Sequence, residues 1–168
     1  MGPLAHYIVA MSVAFTKETD LEATAADLPD RPISHHPNLV TAEGLAALDR
    51  ALEEARQAYA AALAQTEIHE DRTAMARATR DLRYYTARRA TAQLTEPKEK
   101  GVVVFGSTVT FDREDGRRQT FRIVGEDEAD PEKGTVSYVS PLAQALLGKR
   151  KGDEALVAGG EVEIVEIA

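Results

Sequence analysis

Two stretches of the chain repeat an apolar residue at alternating intervals of three and four, and that spacing marks both as helices with one apolar stripe for a partner helix. The first seam runs through Leu45, Leu48, Leu52, Ala55, Tyr59 and Ala62, the second through Met75, Ala78, Leu82, Tyr85, Arg89 and Ala92. An apolar residue every 3.5 positions keeps one stripe of a helix turned toward a partner helix. Arg89 interrupts the second seam, where its aliphatic stem can lie over apolar surface. Folded back antiparallel, Leu52 meets Tyr85, Ala55 meets Leu82, Tyr59 meets Ala78 and Ala62 meets Met75. A large side chain then faces a small one in all but the first of these layers, which lets them interdigitate at native density. Thr41 is the expected N-cap, with Glu43 in the first turn where a negative charge suits the helix dipole. The turn between the arms falls at residues 67–71, which hold neither Gly nor Pro, so a single continuous helix is the alternative.

Helical patterning stops at Leu94. The string TEPKEKG predicts a linker, because Pro97 cannot continue a helix. Beyond it, VVVF (102–105), TVTF (108–111), FRIV (121–124) and TVSYV (135–139) have strand composition, separated by turn signals such as Asp115-Gly116 and Lys133-Gly134. The closing EVEIVEIA alternates, with Val162, Ile164 and Ile167 near one face. One helix interrupts the strands: Ser140 can cap it, Pro141 suits its first position, Leu142, Leu146 and Leu147 form its apolar face, and Gly148 stops it. The expected class is α+β, an amino-terminal antiparallel α-helical coiled-coil hairpin followed by an antiparallel β-sheet domain with one helix. The expected divisions are an acidic leader (1–39), the hairpin (40–96) and the sheet domain (97–168).

Acidic side chains outnumber basic ones by 28 to 20, a formal charge of −8. That balance argues against independent binding to a nucleic-acid backbone, whose affinity comes from Lys and Arg on phosphates. A protein partner or a cationic surface fits better. The absence of cysteine excludes disulfides and thiolate metal sites and suits a reducing cytoplasm, the expected location. MGPLAHYIVA lacks the basic start of a signal peptide, and no stretch approaches the roughly 20 apolar residues that span a bilayer. Residues 12–39 carry three prolines and five acids, which predicts little structure, with His35 and His36 in a solvated turn. The acidic run Glu126–Asp130 and the arginines Arg72, Arg77, Arg80, Arg83, Arg88 and Arg89 read as solvated faces, and Tyr59, Tyr84 and Tyr85 as packing.

Three segments carry a family resemblance: Gly106-Ser-Thr-Val-Thr-Phe, Phe121-Arg-Ile-Val-Gly, and Val139-Ser-Pro-Leu-Ala-Gln-Ala-Leu-Leu-Gly-Lys-Arg-Lys-Gly-Asp-Glu. Together they resemble the C-terminal domain of the GreA/GreB transcript cleavage factors, whose fold is FKBP-like. Leu39-Val-Thr-Ala-Glu-Gly-Leu resembles the family's entry into its coiled coil, and Leu82-Arg-Tyr-Tyr-Thr-Ala-Arg-Arg its returning arm. In ordered segments the resemblance runs from about residue 38 to 168.

The resemblance implies a monomeric accessory factor, not itself an enzyme and binding no cofactor alone, whose partner is RNA polymerase. The C-terminal domain would dock at the rim of the polymerase secondary channel, with Ser140, Pro141, Leu142, Leu146 and Asp153 as contact residues. The hairpin would reach inward, near the RNA 3′ end or DNA, so that tip carboxylates help hold a second Mg²⁺ of the polymerase. Two-metal phosphodiester hydrolysis needs hard oxygen ligands to fix the weaker ion and orient water. Glu70 or Asp71 would be the metal ligand and Glu67 a partner ligand or water-orienting group, since residues three or four apart share a helical face. The tip here reads Thr66-Glu-Ile-His-Glu-Asp-Arg, without the Gly and Asn of the family's signature. Each arm is also shorter than the family's by roughly a heptad, about 10 Å at the helical rise. A non-cleaving regulator of the same channel, competing with cleavage factors, is therefore the alternative. A prolyl isomerase is a third and distant reading, disfavoured because the aromatic pocket it needs has few candidates beyond Phe105, Phe111, Phe121 and Tyr138, some of which must build the core.

Overall fold

The computed structural model describes residues 28–65 and 72–168. The described residues divide into two compact units, one of residues 28–33 with 52–65 and 72–87, the other of Ser34–Ala51 with Arg88–Ala168. The division passes through both long helices and leaves the TEPKEKG string inside the second unit.

Strand β1 (Leu39–Val40) leads into helix α1 (Ala42–Gln65); helix α2 (Arg72–Thr91) returns into strand β2 (Gln93–Leu94). The cap on α1 is the one its sequence predicts: the Thr41 hydroxyl accepts the Gly44 N–H at 3.0 Å, and the Thr41 carbonyl accepts that of Leu45. Leu48, Leu52, Ala55 and Ala62 on α1 and Ala78 on α2 are buried, following the two seams. The arms return to a common root. β1 and β2 pair in parallel, and the Gln93 and Thr95 N–H groups donate to the carbonyls of Asn38 and Val40 at 2.8 and 2.9 Å. A single continuous rod is thereby excluded.

One seam position differs from expectation. Arg89 is an exposed partner of Asp49 on α1, while its neighbour Arg88 is buried, with 3% side-chain exposure. Successive helical residues point about 100° apart, so the buried position belongs to a surface other than the helix–helix stripe. The leader also differs. Within its described part Asn38 is buried, and Arg31 stacks on Tyr84, where little structure was expected.

The second unit holds a five-stranded sheet in the order β5-β4-β3-β7-β6. Its strands are β3 (Thr108–Arg113), β4 (Arg118–Val124), β5 (Thr135–Ser137), β6 (Glu154–Val157) and β7 (Gly160–Ile167), with helix α3 (Pro141–Leu146) between β5 and β6. The sheet is mixed, not antiparallel throughout. β4 and β5 pair in parallel because residues 125–134 cross over between them, through a 3₁₀ turn at Pro131–Lys133. VVVF forms no strand: Val102 makes a single bridge to Arg150, and Val103 and Phe105 serve the core from irregular chain. β6 replaces it at the edge, unanticipated because its one large apolar residue, Leu156, points to solvent.

Val109, Phe111, Ile123, Val162 and Ile164 project inward from the strands, and Ala143 and Leu146 of α3 close over them. Burying a side chain such as Phe111 or Leu146 stabilises by about 1.5–3 kcal/mol. Gly125 permits the closest backbone approach: a Cβ there would stand 2.3 Å from the Leu39 carbonyl oxygen. The absence of a side chain thus lets β1 lie against the end of β4.

Candidate docking face and hairpin root

The start of α3 is organised by its first two residues. The Ser140 hydroxyl accepts the Ala143 N–H, and Pro141 occupies the first turn, where no backbone donor is needed. Leu142 is half-buried against the core while Pro141 and Gln144 stay exposed, and the Gln144 amide donates to the Tyr138 carbonyl at 2.7 Å. After the helix, Gly148 takes a positive φ and chain direction reverses. The Arg150 N–H donates to the Asp153 carboxylate at 2.7 Å, and the Asp153 N–H donates back to the Arg150 carbonyl. Arg150 and Lys151 are exposed beside that carboxylate. Among the expected contact residues, Ser140, Pro141 and Leu142 lie at one helix start, with Asp153 in the turn before β6. Leu146 is a correction: it is fully buried in the core, so a docked partner cannot touch it.

Glu67, Glu70 and Asp71 lie outside the described residues. Among those described, no group of three or more His, Asp or Glu is arranged to hold a metal ion, and His35 and His36 are exposed. No described helix is long and apolar enough to cross a membrane. Phe105, Phe111, Phe121 and Tyr138 build packing instead of a prolyl-isomerase pocket. Phe111 is completely buried and stacks on Phe121, and Phe105 meets Tyr138 edge to face.

A polar cluster at the hairpin root was not foreseen. The Arg88 Nε donates to the Asp127 carboxylate at 2.6 Å, one terminal nitrogen donates to the Asn38 side-chain carbonyl at 2.7 Å, and Glu126 stands 3.8 Å away. Asn38 returns its amide to the Arg88 backbone carbonyl at 2.6 Å. Nearby, the Thr41 hydroxyl that caps α1 donates its own proton to Glu128 at 2.6 Å. Arg122 pairs with Glu43 at 3.4 Å. The Glu43 carboxyl is held below its usual range, first by backbone N–H at the helix start and then by the Arg122 charge. The Tyr138 hydroxyl donates to the Pro37 carbonyl, and burial raises its pKa, with the Glu126 charge adding to the effect. Asp127 and Glu128 of the Glu126–Asp130 run therefore accept from the helix roots, and the run is not a merely solvated loop.

Residues 97–168 match the family model described as transcription elongation factor, GreA/GreB, C-term. The C-terminal region belongs to the GreA/GreB family. The Ser140-Pro141 helix start and the Gly152-Asp153 turn lie inside that match, which bears out the resemblance carried by those residues. The GreA of Alkalilimnicola ehrlichii is 48% identical over 84 residues, covering 45% of this chain and 53% of the relative. The GreB of Neisseria meningitidis serogroup B is 38% identical over 95 residues, covering 52% and 58%. This chain thus spans about half the length of the curated GreA and GreB relatives it matches. The crystal structure of GreA factor homolog 1 of Thermus thermophilus is 23% identical and covers 79% of this chain and 99% of its own, with a TM-score of 0.38, too loose an overlay to argue from.

Proposed function

We propose that the protein is a transcription elongation factor that binds RNA polymerase through its GreA/GreB C-terminal domain and extends its hairpin into the secondary channel. The observation that carries this reading is a GreA/GreB domain in one compact unit with the roots of two helices, whose far ends are joined by residues 66–71. Ser140, Pro141, Leu142 and Asp153 are the proposed docking residues. Glu67, Glu70 and Asp71 are the proposed catalytic assistants: Glu70 or Asp71 completes the coordination of a Mg²⁺ held by the polymerase, and Glu67 shares the ligation or orients water. The protein supplies no cofactor of its own, and backtracked RNA is the substrate of the polymerase's own centre.

The arms favour a second reading as well. α1 has 24 residues and α2 has 20, so they extend about 36 and 30 Å at the helical rise. A carboxylate that stops short of the ion cannot ligate it at the 2.0–2.1 Å Mg²⁺ requires. A hairpin that stops short would occupy the channel and exclude cleavage factors without assisting hydrolysis.

One experiment separates these readings. Purified protein is added to a stalled, backtracked complex carrying 3′-labelled RNA. Shortening of the RNA that is lost in the Glu67→Ala/Glu70→Ala/Asp71→Ala variant supports cleavage. Intact RNA with retained binding supports the regulator, and no binding to polymerase removes both.

A further inference from the structure

The chain leading into β1 is held at two places by different physics. In the first unit the Arg31 guanidinium lies 3.8 Å over the Tyr84 ring and 5.1 Å from that of Tyr85, and it pairs with Asp81 at 3.3 Å. Next to it, Asp30 accepts from Arg83 at 3.3 Å. Two adjacent residues of this segment thus engage Asp81, Arg83, Tyr84 and Tyr85, all within five positions of α2. In the second unit, the same segment ends on the buried Asn38, which is hydrogen-bonded to the Arg88 backbone and side chain.

The two attachments differ in strength and in response to salt. Asn38 is buried, and breaking its bonds would strand buried polar groups. The charged pairs at Asp30 and Arg31 have side chains 34–67% exposed. Exposed ion pairs and cation–π contacts are individually weak and screened by salt. A segment rooted at one end and held at the other by exposed charges can open at its charged end without breaking the buried one.

We infer that Leu28–Ile33 is a latch occupying a partner-binding surface on α2, made by Arg83 and Tyr84, and that a carboxylate-bearing protein surface displaces it. The Asp30 carboxylate on Arg83 shows that this surface accepts a carboxylate, and the Arg31 guanidinium on Tyr84 and Asp81 that it accepts a cation beside it. The inference rests on the function proposed above, with RNA polymerase as the partner: the latch competes with docking of the arm and lowers apparent affinity by the fraction of closed molecules.

The test uses the full chain, which has no cysteine and so takes a single label cleanly. Bimane on Pro32→Cys is quenched on contact with tyrosine, and reads the closed latch. Raising salt from about 0.05 to about 1 M, or introducing Asp30→Asn with Arg31→Gln, restores emission if charges hold the latch. Emission that is unquenched at the start, or unchanged by both, overturns it. Binding to core RNA polymerase is then measured for the unlabelled proteins. The Asp30→Asn/Arg31→Gln variant binds roughly threefold to tenfold more tightly than the parent, the range weak exposed pairs can supply, and adding Arg83→Gln cancels the gain. Equal or weaker binding by the released variant overturns the competition. A gain seen with single-stranded RNA and not with polymerase overturns the assignment of a protein partner. Absence of polymerase binding by every variant refutes the proposed function instead, and the latch then stands or falls on the label alone.

Discussion

Replacing Arg88 by alanine should cost far more than replacing Arg89, although the two arginines are neighbours in the chain and each has an acidic partner. Arg88 has 3% side-chain exposure, while Asp127 and Glu126 opposite it have 17% and 22%. Truncation leaves those carboxylates and the Asn38 carbonyl partly desolvated without their donor. Breaking a buried pair on one side costs about 3–5 kcal/mol, and the residual exposure of the acids lowers the expectation here to about 2–4 kcal/mol. Arg89 and Asp49 are 40% and 55% exposed, where an ion pair contributes about 0–1 kcal/mol. Urea unfolding followed by far-ultraviolet circular dichroism measures the contrast. With a slope of about 2 kcal/mol/M, Arg88→Ala should lower the midpoint by about 1–2 M and Arg89→Ala by less than about 0.5 M. Equal midpoints for the two variants would refute the view that Arg88 is a structural tie at the hairpin root. Restoring most of the loss with Arg88→Lys would refute the role of its planar, multidentate geometry.

Gly125→Ala places a Cβ 2.3 Å from the Leu39 carbonyl oxygen, so β1 must shift; a loss of about 1–3 kcal/mol is expected, with hydrogen-exchange protection of the Gln93 and Thr95 amides reduced first. Leu146→Ala should cost about 2–5 kcal/mol in thermal or urea unfolding, whereas Pro141→Ala at the exposed helix start should leave stability nearly unchanged and weaken polymerase binding. Asp112 and Asp115 have carboxyl pKa values below the usual range, Asp112 first through its bond from Arg118 and Asp115 first through the Arg117 backbone N–H. Their contributions are complete above the unfolded value of about 3.9 and are lost as pH falls through the lowered folded values. The stability difference between the parent and Asp112→Asn/Asp115→Asn should therefore be constant from pH 5 to 7 and shrink only below about pH 4.

The parts legible in the sequence are those set by local period and local capping. Leu48, Leu52, Ala55 and Ala62 lie buried where a 3.5-residue repeat puts them, and Ser140 and Thr41 cap the helices they precede. Val162 and Ile164 face inward as strict alternation requires. The parts that were not legible depend on partners distant in the chain. Arg88 is buried because an acidic loop nearly forty residues later meets it, and no helical period encodes that encounter. β1 and β2 have two residues each, too few to show alternation. VVVF has strand composition, yet the flanking Gly101 and Gly106 at positive φ turn it into an irregular segment that inserts Val103 and Phe105 into the core. At the proposed docking face, the resemblance pointed to Ser140, Pro141, Leu142, Leu146 and Asp153 together, but an apolar residue facing a partner and one facing the core look alike in sequence, and Leu146 is fully buried.

The proposed function depends on where the hairpin tip goes when the C-terminal domain is bound. A hydroxyl-radical-generating iron chelate attached at His69→Cys, in a chain that otherwise lacks cysteine, reports the answer in a complex with RNA polymerase. Cleavage of the polymerase beside its catalytic Mg²⁺ and of the backtracked RNA near its 3′ end is the predicted result, abolished by Pro141 and Asp153 variants that block docking. Cuts confined to the outer surface of the polymerase, or none at all while the complex stays intact, would contradict it.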